Sequence, residues 1–258
     1  MPWTDTGAVS LFHTDAGNGP PVLLLHELGG SSASWPAVSA LLMPHRRVIA
    51  VDLAGAGLSE KPVGALPVRR HADDLAALLD ALGIARIDVL GSALGSVVGA
   101  LLAGRHPDRV RRLMVCAVAK DMAGTTATYL EQRAEKVRAE GMRAVADTSL
   151  ANAFPDSHAA ARAAYRPIYL ANDPAAYAEL SIGLARADLT DADWRAVRAR
   201  TLVCSGAHDF IWPPESGREV AAAIPDARFQ VLTDAGHFPH LQTPEDLARI
   251  ALDFLGAG

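Results

Sequence analysis

The stretch IDVLGSALGSVVGALLAG, residues 87–104, places an apolar, β-branched run directly before a segment of small apolar residues. Ile87–Leu90 is apolar apart from Asp88 and is rich in β-branched residues, which is typical of a strand buried on both faces. Leu94–Gly104 is apolar nearly all round, which predicts a helix packed against the sheet. The residues between them, Gly91-Ser92-Ala93-Leu94-Gly95, therefore join a predicted strand to a predicted helix.

The alternation of strand and helix continues on both sides of this stretch. Further short runs rich in apolar residues lie at Val22–His26, Val48–Leu53, Val110–Val118, Thr201–Ser205 and Arg228–Leu232. Amphipathic helical patterns lie at His71–Leu82, Glu215–Ala223 and Glu245–Leu255. Strands that alternate with helices predict an α/β fold with a mostly parallel sheet and helices on both of its faces.

One long segment, residues 119–200, contains helical patterns but no convincing strand. These patterns lie at Tyr129–Glu140, Met142–Ala151, Ala159–Leu170, Pro174–Ala185 and Asp191–Arg198. We interpret the segment as an all-helical cap over the carboxyl edge of the sheet, inserted into a core domain of residues 1–118 and 201–258. The alternative is an ordinary run of helices on one face of the sheet.

The amino-acid composition argues against several classes of function. The chain has 258 residues, half of them hydrophobic, and its 24 basic and 29 acidic side chains give a net charge of −5, which argues against a nucleic-acid partner. Cys116 and Cys204 each lie in an apolar run, which predicts buried thiols in a reducing compartment. No secretory-signal pattern and no apolar stretch of about 18 residues is present, so we expect a cytoplasmic protein without membrane contact.

Ligands of open parallel sheets bind at the carboxyl ends of the strands, so the residues that follow each run are candidates for the functional site. These motifs are HELGG (26–30), DLAGAGLS (52–59), GSALG (91–95), GAHD (206–209) and AGHF (235–238). In this order they resemble the α/β-hydrolase family across nearly the whole chain. The resemblance implies a sheet of the eight-stranded type, with the cap between its sixth and seventh strands.

The family motif G-x-S-x-G places a nucleophilic serine on a tight turn between strand and helix. Gly91 and Gly95 match, but the central residue is Ala93, which has no hydroxyl with which to form an acyl-enzyme. Three explanations are open. Ala93 replaces a serine and gives an inactivated form, or the protein naturally binds ligands or reacts without a serine. In the third explanation Ser92 or Ser96 acts instead, although Ser92 precedes the apex of the turn and Ser96 lies on the helix.

The family's chain order of nucleophile, acid and histidine implies Asp209 as the acid and His237 as the base. Asp121, after the sixth strand, is the rival for the acid. The resemblance gives His26 a role in holding loops by hydrogen bonds, and His208 is expected to face away from the acid. His240 is expected at the surface or in packing. Surface or helix-end positions are expected for His13, His45, His71, His106 and His158.

An oxyanion hole requires two backbone N–H groups aimed at the developing negative charge. The resemblance implies that Leu28 and Leu94 supply them. Glu27 departs from the glycine that is usual in the family. A carboxylate there would repel an anionic intermediate or, if protonated or turned outward, would touch the substrate.

No cofactor or metal is expected. Gly55-Ala56-Gly57 begins like a dinucleotide-binding loop, but Glu60 stands where the third glycine belongs. The histidines show no spacing typical of metal ligands.

The last third of the chain, with GLARADLTDADW (183–194) and PPESGREVAAAIPDA (213–227), resembles the 3-oxoadipate enol-lactonase branch of the family. This resemblance implies hydrolysis of a small carboxylic ester or lactone through an acyl-enzyme. The alternatives are a carbon–carbon bond hydrolase of a ring-cleavage product and a non-catalytic ligand-binding protein. The expected partner is a small-molecule substrate, and a homo-oligomer stays open.

Four arginines of the cap segment could bind a carboxylate of such a substrate, namely Arg133, Arg138, Arg162 and Arg166. The simpler interpretation of each is a solvated helix face on which it pairs with a nearby glutamate.

Overall fold

Eight strands form one sheet in the computed structural model, which describes residues 2–256. In chain order they are β1 (Trp3–Asp5), β2 (Ser10–Ala16), β3 (Pro21–Leu25), β4 (Arg47–Val51), β5 (Ile87–Ser92), β6 (Val110–Cys116), β7 (Arg200–Gly206) and β8 (Arg228–Leu232). Across the sheet the order is β1-β2-β4-β3-β5-β6-β7-β8. Strand β2 pairs antiparallel with β1 and β4, and all other pairs are parallel.

The strands from β3 to β8 coincide with the six predicted apolar runs, so the prediction of a mostly parallel sheet is confirmed. Strands β1 and β2 are not predicted from the sequence. They form an antiparallel pair at the edge of the sheet, and most of their residues are partly or fully exposed. Such strands lack the continuous apolar run that marks the buried ones.

Helices flank the sheet on both faces. In chain order they are α1 (Pro36–Leu42), α2 (Val68–Ala81), α3 (Leu94–Arg105), α4 (Thr125–Glu140), α5 (Arg143–Ala153), α6 (Ala159–Leu170), α7 (Pro174–Ala185), α8 (Asp191–Arg195), α9 (Pro214–Ala223), α10 (Pro239–Gln242) and α11 (Pro244–Leu255). One apolar core contains side chains of α2, α3 and α9, and the other contains those of α1 and α11. No helix within residues 2–256 is both long enough and apolar enough to cross a bilayer.

Five helices, α4–α8, lie between β6 and β7, in the segment predicted to be helical. Helix α4 packs against α7. Asn172, just after α6, donates a hydrogen bond to the carbonyl of Gly29 in the loop after β3 (2.8 Å), and the amide of His237 donates to the carbonyl of Ala153 at the end of α5 (3.2 Å). Because both contacts involve loops at the carboxyl ends of strands, we propose that α4–α8 form the cap.

The backbone of the turn from β5 into α3 lies very close to other backbone atoms, both within the turn and in β3. Ala93, at its apex, has a φ of 48°, a conformation that non-glycine residues adopt at a cost. A Cβ atom on Gly91 would overlap the carbonyl oxygen of Gly95, and one on Gly95 would overlap the carbonyl oxygen of Leu25 in β3. These two positions therefore need glycine because backbone approaches backbone, which has little freedom to move.

We predict that Gly95→Ala lowers the free energy of unfolding by about 2–3 kcal/mol, because the added methyl group meets a backbone carbonyl. Gly99→Ala, on the same helix, is the matched control. Its Cβ would lie 3.1 Å from the side chain of Val89, and the gain in helix propensity offsets part of that contact. Urea unfolding of both variants tests the prediction, and equal stabilities would contradict it.

Candidate active site

A cavity of about 100 Å³ lies between the carboxyl edge of the sheet and the cap. The core domain contributes Leu28, Ala93, Leu94, Trp212 and His237 to its walls. Cap helices α4 to α7 supply most of the other walls, which are largely apolar. The volume is below the range of about 300–1,000 Å³ that is typical of sites for drug-sized molecules, so the cavity suits a small ligand.

Asp209 and His237 form a buried hydrogen-bonded pair at this cavity. The Nδ1 atom of His237 lies 2.9 Å from Oδ2 of Asp209. The other carboxylate oxygen of Asp209 accepts hydrogen bonds from the amides of Ile211 and Trp212, both at 2.9 Å. A carboxylate held in this way places the proton of a neutral imidazole on Nδ1 and leaves Nε2 free to accept one.

Asp121, the rival acid, lies elsewhere. Its side chain is exposed, and its Oδ1 accepts a hydrogen bond from the amide of Ala123 (3.0 Å), which closes a turn at the entry to the cap. Among residues 2–256, the carboxylate that His237 contacts is that of Asp209. The geometry therefore pairs His237 with Asp209 and not with Asp121.

Neither Ser96 nor Ser92 presents a hydroxyl to the cavity. The hydroxyl of Ser96 donates to the carbonyl of Cys116 (2.7 Å) and accepts from its amide (3.0 Å), which ties α3 to β6. Ser92 is fully buried. In the described part of the chain, neither serine borders the cavity, whereas Ala93 does.

The backbone amides of Leu28 and Leu94 are available to a ligand. Both residues border the cavity, one in the loop after β3 and the other at the first position of α3. Within residues 2–256, neither amide donates a hydrogen bond to a protein acceptor. Two free N–H groups beside position 93 are what an oxyanion hole requires.

Glu27 does not border the cavity, and both of its carboxylate oxygens have partners in the protein, so the structure does not support a role on the intermediate or the substrate. Its Oε1 accepts a hydrogen bond from the hydroxyl of Ser34 (2.8 Å), and its Oε2 lies 2.9 Å from Nε2 of His240. The side chain is fully buried, and a Cβ on Gly30 would overlap its carboxylate. The glycine at position 30 thus makes room for the glutamate at position 27.

His240 compensates the buried charge of Glu27. Burial alone would raise the pKa of the Glu27 carboxyl, but the charge and hydrogen bond of His240, with a smaller contribution from His26, lower it to about 2. His240 is itself fully buried and stacks on Trp35, with 4.4 Å between ring centroids. No local sequence pattern indicates this pair, because its members lie 213 positions apart.

The other histidines have varied surroundings. His26 bonds the carbonyl of Glu27 through Nδ1 (2.7 Å) and accepts from the amide of Leu53 through Nε2 (3.0 Å), so it does hold two loops together. His13 is buried inside a strand, so the expectation of a surface or helix-end position is wrong for it. His71 lies in the first turn of α2, as expected of a helix-end residue, although its side chain is buried. His13 lies in β2, one of the two strands that the sequence does not predict.

No group of three or more histidine, cysteine or acidic side chains within residues 2–256 is arranged to hold a metal ion. Cys116 and Cys204 are buried free thiols on the neighbouring strands β6 and β7.

Comparisons with known proteins identify the family. Residues 20–244 match the sequence model of the alpha/beta hydrolase fold. The chain belongs to the α/β-hydrolase family. A 2-hydroxymuconate semialdehyde hydrolase of Pseudomonas putida is 32% identical over 252 residues, which cover 93% of this chain and 89% of that protein.

Solved structures of this family are also similar over their whole length. The enol-lactonase of Burkholderia xenovorans LB400 has a TM-score of 0.93 and 31% identity, covering 98% of this chain and 99% of its own. A thermophilic esterase of Thermogutta terrifontis, with bound malate, has a TM-score of 0.91 and 30% identity, covering 99% of this chain and 96% of its own. These similarities place this α/β hydrolase near enol-lactonases and esterases.

We predict that His240→Leu lowers the free energy of unfolding by about 3 kcal/mol at pH 7, because it leaves the buried Glu27 carboxylate without its partner. In the parent chain, the stability that comes from the low pKa of Glu27 is complete above about pH 4.5 and is lost as the pH falls towards 2. In the variant, burial raises that pKa instead, so protonation at low pH removes the penalty.

Urea unfolding at pH 7 and pH 4.5 measures this effect. The deficit of His240→Leu is expected to shrink at the lower pH, and adding Glu27→Gln is expected to recover part of the loss at pH 7 because no carboxylate then stays unpaired. A deficit that is independent of pH and is not recovered by the second substitution would show that the loss comes from packing on Trp35 alone.

Proposed function

We propose that the cavity is the active site of a hydrolase of small carboxylic esters or lactones, and that its covalent step needs a hydroxyl at position 93. The observation that carries this proposal is that an acid–base pair and two free amides meet at one cavity. The bonded pair of His237 and Asp209 and the free amides of Leu28 and Leu94 belong to four different loops, yet all surround the cavity that Ala93 borders. A structural role alone does not account for two unpaired amides beside a polarised imidazole.

With serine at position 93, these groups would perform acyl transfer. The serine Oγ attacks the carbonyl carbon while its proton passes to Nε2 of His237. The amides of Leu28 and Leu94 bind the resulting oxyanion. As the carbonyl re-forms, the bond to the alcohol oxygen breaks and that oxygen takes the proton from His237, which leaves an acyl-enzyme and the free alcohol or, from a lactone, an acyl-enzyme that carries its own hydroxyl.

In the hydrolysis of the acyl-enzyme, water is the attacking group and the serine oxygen is the leaving group. A water molecule gives a proton to His237 as its oxygen attacks the acyl carbon. The serine oxygen then leaves with that proton, and the product acid is released. Asp209 keeps the imidazole in the orientation and tautomer that both steps require.

The chain as it stands has a methyl group where the serine oxygen would be, so we propose that it binds such substrates without acylation. Retention of the acid–base pair and the free amides supports the explanation that Ala93 replaces a serine. The positions of Ser92 and Ser96 give no support to the explanation that another hydroxyl acts. A natural ligand-binding protein is the remaining alternative.

The names of similar proteins support two chemistries. The enol-lactonase and the esterase favour cleavage of an ester or lactone bond, at 31% and 30% identity. The 2-hydroxymuconate semialdehyde hydrolase, at 32% identity, favours carbon–carbon bond hydrolysis as the second candidate. A substrate panel separates these chemistries, because p-nitrophenyl esters report only the first of them.

We predict that Ala93→Ser raises the rate of hydrolysis of p-nitrophenyl acetate or a small lactone by at least about a thousandfold, since loss of the triad typically lowers turnover by about 10⁶-fold. The measurement at pH 7.5 is p-nitrophenolate release from the ester and acid release from the lactone, by the purified parent and variant. The Ala93→Ser/Asp209→Asn variant is expected to lose most of the regained kcat, because asparagine holds the wrong imidazole tautomer.

Ala93→Ser/Asp121→Asn is the matched control and is expected to keep the full regained rate. If Ala93→Ser cleaves ring-cleavage diketones but no ester or lactone, the carbon–carbon bond hydrolase is correct instead. If it cleaves nothing in either panel, the proposal of a hydrolytic site is wrong and the ligand-binding alternative holds.

A further inference from the structure

Glu27 lies directly before Leu28, whose amide is one of the two proposed oxyanion donors. That amide belongs to the peptide group that joins the two residues, so whatever fixes Glu27 also orients the donor. A glycine, which is usual in the family at this position, has no side chain with which to do so. The glutamate of this chain can therefore orient the donor in a way that a glycine cannot.

The peptide group between Glu27 and Leu28 is held first at its carbonyl. Its oxygen accepts hydrogen bonds from Nδ1 of His26 (2.7 Å) and from the amide of Gly30 (3.0 Å). The peptide bond is trans, so its N–H points in the direction opposite to its carbonyl. The two bonds to the carbonyl therefore leave the N–H of Leu28 free to face the cavity, which Leu28 borders.

The side chain of Glu27 holds the same peptide group from its other end. One carboxylate oxygen accepts from the hydroxyl of Ser34 (2.8 Å), and the other lies 2.9 Å from Nε2 of His240. The side chains of Glu27 and His240 are completely shielded from solvent, so water does not compete for their bond. A rotation of the peptide group that pulled the carboxylate away would leave a buried charge unpaired, which is strongly unfavourable.

His240 connects this tether to the proposed base. It lies three residues after His237, in the short helix α10, and its ring is stacked on Trp35. The ring of Phe238, between the two histidines in the chain, lies 4.9 Å from that of His237 and 5.9 Å from that of His240, measured between centroids. One packed stretch of chain thus carries both the imidazole of the base and the partner of Glu27.

We infer that the pair of Glu27 and His240 is a positioning device for the oxyanion hole, which sets the amide of Leu28 relative to His237. Neither side chain of the pair is among the described residues that border the cavity, so both act through Leu28 and not on the substrate. The inference rests on the proposed function only for the reaction that the donor serves.

The amide of Leu94, the second proposed donor, provides an internal control. Its peptide group is held at the carbonyl of Ala93, which accepts hydrogen bonds from two amides in the first turn of α3 (2.9 and 3.3 Å). The bonds of the Glu27 and His240 side chains go to other parts of the protein. Loss of the pair is therefore expected to displace the Leu28 amide and to leave the Leu94 amide in place.

NMR of the parent chain with ¹⁵N-labelled leucine follows both donors and does not require catalysis. The probe is acetate, which is small enough for a cavity of about 100 Å³ and whose oxygen can accept hydrogen bonds from both amides. We predict that acetate at pH 7.5 shifts the amide signals of Leu28 and Leu94 together in the parent. In His240→Leu the response of Leu28 is expected to be largely lost, while that of Leu94 persists.

Three companion variants separate positioning from stability. His240→Leu/Glu27→Gln has no unpaired carboxylate, so it regains stability but still lacks the bond to position 240, and its Leu28 response is expected to stay lost. This variant also keeps the test available if His240→Leu fails to fold. His240→Gln retains a side-chain N–H donor and is expected to keep part of the response. His13→Leu replaces a buried histidine in β2 and is expected to leave both responses unchanged.

Kinetics give a second measurement in the Ala93→Ser background. Removal of one oxyanion donor lowers kcat by about 10²–10³-fold, so a displaced donor is expected to lower the kcat of Ala93→Ser/His240→Leu by about tenfold to a hundredfold. The KM for p-nitrophenyl acetate is expected to change little, because the oxyanion forms only in the transition state.

The inference is overturned if acetate does not shift the Leu28 signal in the parent. It is also overturned if that response survives the loss of the bond to His240, or if Leu28 and Leu94 lose their responses together. A selective loss at Leu28, together with an inactive Ala93→Ser variant, refutes the hydrolytic function and leaves the positioning role standing. An active Ala93→Ser variant whose kcat does not depend on the pair does the reverse.

Discussion

The close approach of α3 to the backbone of β3 is the constraint on which the site depends. Gly91 and Gly95 allow it, because side chains at either position would overlap backbone carbonyls. The chain must then reverse within one residue, which gives Ala93 its positive φ. The same reversal presents the amide of Leu94 to the cavity and places residue 93 at the carboxyl edge of the sheet. The same backbone would present a hydroxyl at this position to the cavity.

Much of this could be predicted from the sequence, for a physical reason. Strands buried on both faces are continuously apolar, and the carboxyl ends of parallel strands meet at one edge, so the residues after them converge. Strands β1 and β2 could not be predicted in this way, because they are largely exposed at the edge of the sheet and lack an apolar run. The pair of Glu27 and His240 could not be predicted either, because two residues 213 positions apart in the chain produce no local sequence pattern.

In the cap, helical periodicity predicts the helices but not the partners of their side chains. A helical pattern predicts α4, but it does not determine which of Arg133 and Arg138 meets an acidic partner. That choice depends on how α4 packs against α7, where Glu179 pairs with Arg138 and Tyr177 lies beside Arg133. Arg138 therefore forms an exposed ion pair, whereas Arg133 lies against two aromatic rings and borders the cavity.

The carbonyl of Ala153 links the cap to the proposed base. It accepts hydrogen bonds from the amide of His237 and from Nε2 of Gln242, while Oε1 of Gln242 accepts from the amide of Gly236 (2.7 Å). A hinge motion of α5 would therefore break the bonds that hold the imidazole in register with residue 93. We expect ligands to enter and leave by small side-chain displacements at the rim, where Ile211 is partly exposed, while the helices above the sheet stay seated. We therefore expect ligand exchange and the alignment of the base to depend on different parts of the site.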